Sequence, residues 1–572
     1  MVQTRIFRHE RVDDIPLIIG LANKLHLAEV LDRHMGTHRL QQGWHNGQLA
    51  VGWLAYILSQ ADHRQSAVRD WANGLPHTLA QLLGHPIREV ECSDDRLGGV
   101  LYRLSNDATW NAIEPDLWAT TVTVYELALT GIRLDSTTSD GYHHVTEDGV
   151  MQRGHSTDHR PDLPQLQLMA AAAEPSGHLI ACDVHPGQCA DDPLYTPLLQ
   201  RVRGIVGRPD LLYVGDCKMA ALATRAEIAA HHDLSLMPLP LTGETATQVE
   251  TWVTAIVEGT QEATLRWDGE HWLGVGYEWE RPLHAMVDGQ PIGWTERVQV
   301  VRSPTLAQRQ QATLEKRLAA AAEELRALTP APGRGKRQRR DEATLQAAIA
   351  RVLERHEVTG LLTATWARHE TTVTGYVGRG RGSADRPTRT QTQVRYALTG
   401  VRRQEEALAA RRHRLGWRVQ VTNAPVDRLP LAQAIQHYRG GWSLERACHL
   451  VKALPLGLQP LCVWKEEQIK GLTRLLTLAL RLLTLLETQG RRGLAQAPLA
   501  GLSEGSPTRT TERPSGTRIL QAFARAQLTL TRVEMGRGIA WHLTPLAPLH
   551  EQLLRHLHLP TSLYTALADN SS

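Results

Sequence analysis

The sequence has no long hydrophobic run free of charge. Its most apolar stretch, residues 471–486, contains Arg474 and Arg481, each costing about 2.5–3.5 kcal/mol at a bilayer centre, so no membrane span is expected. Cysteine is scarce. The six present (Cys92, Cys182, Cys189, Cys217, Cys448 and Cys462) are irregularly spaced, and no two form a C-x-x-C pair, which argues against a disulfide framework and suits a reducing compartment. Cys182 and Cys189 lie near His185, but at a spacing that matches no common zinc arrangement. Neither sign of charge dominates. Lys and Arg number 63 against 60 Asp and Glu, a formal net charge of +3, so net charge identifies no nucleic-acid partner. There is no internal repeat, and GRGRG at residues 378–382 lacks the Lys-Ser/Thr of a phosphate-binding P-loop. The first residues, Met1 to Asp14, are charged and lack the apolar stretch of a signal peptide, so a cytoplasmic location is expected.

What is present describes a globular chain. Its 572 residues are 42% apolar and 22% charged, enough for two to four structural units and inconsistent with wholesale disorder. Pro16 follows Asp13 and Asp14, and Leu17, Leu21 and Leu25 repeat on one face, so a helical stretch begins there. Further apolar helical segments fall around residues 49–58, 79–83 and 110–127. From residue 131 short apolar runs take over (132–134, 166–173, 179–184, 211–214), with helices at 193–206 and 220–230, a mixed α/β pattern. Residues 241–300 read as β-rich, with Trp267, Trp272, Tyr277, Trp279 and Trp294 expected mainly in core packing. The Ala-, Leu-, Glu- and Arg-rich segments 306–328 and 342–356 predict a helical hairpin. A strand at 417–422 precedes a helical block over 431–486, and 488–517 has a linker composition.

Two acids end apolar strands: Asp135 in GIRLDSTTSD and Asp216 in LLYVGDCKM. Taken singly, each is most often a turn residue capping its own backbone. If both strand ends are neighbours, the like charges need a cation between them, and hard oxygen donors favour Mg²⁺ or Mn²⁺ over Zn²⁺. In YRGGWSLERACHLVK, Tyr438, Glu445 and Lys452 recur every seven residues, which on an unbroken helix aligns them on one face. The plain alternative is a solvated amphipathic helix, and Gly440 with Gly441 is a pair able to break it before Trp442.

The order Asp, Asp, then Glu within Tyr-x6-Glu-x6-Lys resembles the DDE insertion-sequence transposases, in the subgroup named for its Tyr, Arg, Glu and Lys signature. Further blocks are similar in the same order: HSTDHRPDLPQLQLM (155–169), VHPG (184–187), VGD (214–216), GWRVQVTNAP (416–425) and PLCVWKEEQIKGLTRLLTLALRLLTLLE (460–487). Residues 12–127 also resemble a helical N-terminal domain of one branch, and residues 240–410 and the last 60 or so are the least distinctive.

The resemblance implies an α/β fold. A ribonuclease-H-like mixed sheet core is interrupted by a β-rich and helical insertion and preceded by an all-helical N-terminal domain. The expected divisions are 1–128 (helical, binding DNA ends), 129–240 (first part of the core), 241–415 (insertion), 416–487 (second part of the core with the Glu helix) and 488–572 (linker and small C-terminal region). Asp135, Asp216 and Glu445 then match the metal-holding catalytic acids, with two Mg²⁺ (or Mn²⁺) ions as cofactors. Tyr438, Arg439 and Lys452 are the expected DNA contacts, and the signature arginine position holds Gly441 instead.

The implied partner is double-stranded DNA, comprising transposon terminal inverted repeats and target DNA, bound by a homodimer near the bacterial nucleoid. The implied reaction is cleavage at the element's ends followed by attack of the freed 3′-hydroxyl on target DNA, which two metal ions support by serving the attacking and leaving oxygens. Basic runs at Lys336, Arg337, Arg339 and Arg340, at Arg379 and Arg381, and at Arg402, Arg403, Arg411, Arg412 and Arg414 offer phosphate contacts. Two other classes stay open: a decayed or domesticated protein that binds ends without cutting, and a metal-dependent nuclease that does not join ends.

Overall fold

Most of the leucine-rich N-terminal stretch is helical: α1 (Ile15–Lys24), α2 (Leu27–Met35), α3 (Asn46–Gln60), α4 (Gln65–Asn73), α5 (Pro76–Leu83), α6 (Asp94–Ser105) and α7 (Asp107–Tyr125). The computed structural model describes all residues except 1–4, 39, 241, 269–270, 334, 337, 379–384, 504, 507, 536–537 and 570–572. Pro16 lies in the first turn of α1, and the Asn106 side chain caps α7 by accepting from the Thr109 N–H at 2.9 Å. One element departs from the helical expectation. Strand β1 (Arg5–Arg11) pairs antiparallel with a strand near the other end of the chain, Thr529–Met535.

The alternating pattern after residue 130 builds β2 (Gly131–Asp140), β3 (Gln165–Glu174), β4 (His178–Pro186), α8 (Asp192–Val206), β5 (Leu212–Val214), α9 (Leu222–Ala230) and β6 (Leu234–Pro238). After helix α10 (Gly243–Val257) come β7 (Thr264–Asp268), β8 (His271–Val287) and β9 (Gln290–Arg302). The predicted hairpin is α11 (Pro304–Ala327) and α12 (Glu342–Arg355), followed by the ribbon β10 (Leu362–Tyr376) and β11 (Thr388–Arg403), α13 (Glu405–His413) and β12 (Trp417–Thr422).

Nine of these strands form one mixed sheet in the order β4-β3-β2-β5-β6-β12-β9-β8-β7. The pairs β2–β5 and β5–β6 are parallel and the others antiparallel. The β-rich segment thus widens the sheet, because β9 pairs with β12. Its aromatic residues divide: Tyr277 stacks on Trp279 at 5.3 Å, whereas Trp267 and Trp272 are exposed.

Every residue of β3 is buried. Leu166, Leu168, Ala170 and Ala172 join one apolar cluster, and Met169, Ala171 and Ala173 join another. A strand covered on both faces reads as a continuous apolar run for that reason. The chain ends in α14 (Leu431–Arg439), α15 (Trp442–Lys452), α16 (Glu466–Gln496), the two-residue strands β13 (Leu499–Ala500) and β14 (Thr510–Thr511), α17 (Gly516–Ala524), β15 (Thr529–Met535), β16 (Gly538–Leu543), α18 (Pro548–His556) and α19 (Ser562–Thr565).

Helix α16 is buried around most of its circumference and packs against α6, α3 and β4. Its two arginines are accommodated by pairing. Arg474 donates to the carbonyls of Leu104 and Ser105 at 2.8 and 2.9 Å, at the end of α6, and Arg481 pairs with Glu114. Among the described residues no helix is long and apolar enough to cross a membrane. At the α6–α16 crossing a Cβ on Gly471 would lie 2.1 Å from the Leu101 carbonyl oxygen. Gly471→Ala is therefore expected to lower stability by about 1–3 kcal/mol, read as a lower urea midpoint at unchanged slope.

His178 on β4 is enclosed by Trp118 and by Thr484 of α16. Burial, with the Arg481 charge adding, pushes its pKa down to about 3. The folded state holds it neutral while the unfolded chain protonates below about 6.5. Stability present above that pH is expected to fall by about 1.4 kcal/mol per pH unit between it and pH 3. In His178→Gln this slope is expected to flatten, as measured by denaturant melts at stepped pH.

Candidate active site

The parallel register of β2 and β5 pairs Arg133 with Val214. Asp135 and Asp216 each follow two residues later, so backbone geometry carries both carboxylates to the same edge of the sheet. From here β2 leads outward to β3 and β4, and β5 leads the other way to β6. A reversal of strand order of this kind leaves a crevice at the carboxyl ends of the strands. Glu445 enters from the first turn of α15, which packs beside β2, where the helix dipole favours a negative charge. Asp135, Asp216 and Glu445 line one cavity of about 310 Å³, together with Arg133, Arg418, Tyr438 and Arg439.

Asp216 also acts as a turn residue, but Asp135 does not end its strand as expected: it lies within β2, opposite Ala170 of β3, because β2 runs on to Asp140. Asp135 Oδ1 accepts from the Ser136 N–H at 2.8 Å. Asp216 Oδ1 accepts from the Lys218 N–H at 3.0 Å and from the Tyr195 hydroxyl at 2.8 Å. The second oxygen of each accepts no hydrogen bond among the described residues. Burial, reinforced by the charges of Asp216 and Glu445, pushes the Asp135 carboxyl up to about 6. Three carboxylates facing one space repel one another, and among the described residues no three His, Cys, Asp or Glu side chains close into a ready metal-holding group.

The other expected residues are distributed differently. The glycine pair does break the helix: Gly440 caps the end of α14 and Gly441 begins α15. Tyr438 and Glu445 still reach the same cavity from either side of the break. Arg439 lines it as well and donates to the Leu273 carbonyl. Lys452, at the far end of α15, is not part of the cavity wall, and its ammonium pairs with Asp158 at 2.8 Å. Arg446 is bound by Glu487. A Cβ at Gly441 would sit 3.4 Å from Arg133 Nη1, so the Arg133 guanidinium occupies the space beside it.

Of the basic runs, Arg403 and Arg412 share Glu315, and Arg414 pairs with Glu250. Arg337, Arg379 and Arg381 lie outside the described residues.

Two cavity arginines, Arg133 and Arg418, and the tyrosine that bonds Asp216, Tyr195, escaped the sequence reading. Arg133 was detectable, since it precedes Asp135 by two and so points to the same face of a strand. It is buried and hydrogen-bonds Glu174 Oε1 at 2.7 Å, while His437 Nδ1 lies 3.0 Å from Glu174 Oε2. Burial alone would raise the Glu174 carboxyl, but His437 and Arg133 outweigh it and hold it below the usual range. Arg418 sits on β12, whose Trp417, Val419 and Val421 join an apolar cluster, leaving the intervening arginine for the opposite face. Tyr195 on α8 carried no local signal.

No family model matches the chain, and no curated protein matches it. Among solved structures, a piggyBac transposase synaptic complex with hairpin DNA overlaps 97% of this chain and 86% of that chain, with a TM-score of 0.30 and 7% sequence identity. An overlap at that score is too loose to equate the two folds.

Proposed function

We propose that this chain is a DNA transposase of the DDE type, cleaving phosphodiester bonds at element ends and joining the freed 3′-hydroxyl to target DNA. The observation that carries this reading is the convergence of Asp135, Asp216 and Glu445, far apart in the chain, on one cavity. A ribonuclease-H-like core is the matching proposal for the fold. The run β4-β3-β2-β5-β6, with antiparallel pairs on one side of β2 and parallel pairs on the other, supports it.

The donor set suits divalent cations of the Mg²⁺ or Mn²⁺ kind, since it offers carboxylate oxygens alone. An Asp135 carboxyl raised by burial and further by its two acidic neighbours is a group that gains from a cation nearby. Asp135, Asp216 and Glu445 would hold the ions, which when bound supply activation of the attacking oxygen and stabilisation of the leaving one. The protein residues have distinct tasks. Tyr195 and the 218 N–H fix the Asp216 carboxylate, and the Arg133–Glu174–His437 group ties the end of α14 to β3. Together they orient the acids before substrate arrives.

The test is Mg²⁺-dependent nicking and strand transfer on DNA bearing the inverted repeats that flank the reading frame. Cleavage with joining supports the transposase. Cleavage without joining points to a nuclease, and end binding without cleavage in either Mg²⁺ or Mn²⁺ points to a DNA-binding protein that has lost its chemistry.

A further inference from the structure

The three arginines of the cavity are not equally engaged. Arg133 is bound by Glu174 and by the His437 carbonyl, and Arg439 donates to the Leu273 carbonyl. Among the described residues the Arg418 guanidinium has no carboxylate partner and donates no hydrogen bond; it lies 5.2 Å from the centre of the Tyr438 ring. Burial and the neighbouring Arg418 charge hold Arg439 below its usual pKa, as expected of two cations facing each other without an anion. Nor do these arginines pair with the cavity acids among the described residues. The cavity thus sets three acids that no basic side chain pairs with beside two arginines, Arg418 and Arg439, that no carboxylate pairs with among the described residues.

One chemical group suits both sets. A phosphodiester accepts a divalent cation on one oxygen and a guanidinium on another, and the planar fork of arginine matches phosphate in bidentate fashion. Strand geometry fixes where that fork sits. β12 runs antiparallel to β6, so its first residues lie at the edge where β5 and β6 end, beside Asp216. The Tyr438 ring restrains the guanidinium by cation–π contact, an interaction strengthened where water is partly excluded.

We propose that Arg418, positioned by Tyr438 and with Arg439 beside it, grips a backbone phosphate of the DNA strand against the three acids. This deepens the transposase reading and rests on it for the identity of the strand. Arg418 is then a substrate-binding residue and Tyr438 a positioning residue.

Binding of the full chain to duplex DNA across a salt series in Ca²⁺, alongside cleavage in Mg²⁺, tests the assignment. Arg418→Ala is expected to weaken DNA about tenfold and to reduce the slope of log affinity against log salt by about one. Tyr438→Ala is expected to lose part of that affinity, and Tyr438→Phe, which keeps the ring, to retain it. Arg418→Lys keeps the charge and hence the slope, but loses affinity because the fork is gone. It carries the test if Arg418→Ala melts early.

Unchanged affinity and slope in Arg418→Ala, or wild-type affinity in Arg418→Lys, overturns the inference. If the three acids prove dispensable for cleavage while the slope still falls in Arg418→Ala, the phosphate contact stands and the catalytic reading fails. A chain that binds no DNA overturns both.

Discussion

Asp135→Ala, Asp216→Ala and Glu445→Ala are each expected to lower Mg²⁺-dependent cleavage by about a thousandfold or more while leaving DNA binding largely intact. Ions held at such a site stabilise developing charge by several kcal/mol, and each 1.36 kcal/mol is a factor of ten in rate. On the proposed reading, losing one of three carboxylates removes a donor that no neighbour replaces, since the other side chains lining the cavity are arginines, a tyrosine and Leu134. On the same reading binding is expected to survive, because affinity for DNA comes mostly from phosphate contacts. Removing a negative charge from the cavity wall even reduces repulsion toward the backbone. Single-turnover cleavage and gel-shift affinity, measured on the same preparations, separate the two effects. Full cleavage by any one variant would remove that residue from the active site, and loss of binding together with cleavage would assign it a role in folding or docking.

Glu114→Ala is expected to cost about 3–5 kcal/mol of stability, the largest effect anticipated outside the cavity. The Glu114 side chain is fully enclosed in α7, where it meets Arg481 of α16 and Arg201 of α8 and accepts from the Cys182 N–H of β4 at 3.1 Å. One carboxylate therefore joins an N-terminal helix, a core strand and two core helices. Trp110 covers the cluster, its ring 5.4 Å from both the Arg474 and Arg481 guanidiniums. Deleting the acid strands buried cations, which is far more costly than never having built the pair. The double variant Glu114→Ala with Arg481→Met is accordingly expected to recover part of the loss in denaturant melts. Recovery of nothing would mean that Glu114 acts through packing rather than charge.

How legible an element was in the sequence depended on where its constraints come from. The strand Trp417–Thr422 was expected and found with the same bounds, because β-branched residues alternating with polar ones specify a half-covered strand locally. Helix α10 was read as part of a β-rich segment. Its threonines and valines favour strands by propensity, yet Val249, Trp252, Val253 and Ile256 recur at helical spacing and pack on the sheet, and that burial prevails. Residues 488–517 have a linker composition rich in Gly, Pro, Ser, Thr and Arg, yet α16 continues through 488–496, which includes Gly490 and Gly493. In the fold these glycines belong to α16 at points of close approach, where a Cβ would come within 2.6 Å of Ile519 Cδ1 and of His556 Cβ.

That two apolar core strands carry acids of the kind hard cations prefer was written in short stretches of chain around Asp135 and Asp216, although Asp135 falls within its strand rather than at its end. So was the break at Gly440 and Gly441, a property of glycine alone. Only the folded arrangement settled that Glu445 meets those acids, that Arg133 and Arg418 join them, and that Lys452 is drawn instead to Asp158. The entropy of closing a loop grows only with the logarithm of its length, so separation along the chain says almost nothing about which side chains meet. Strand register and sheet order decide that.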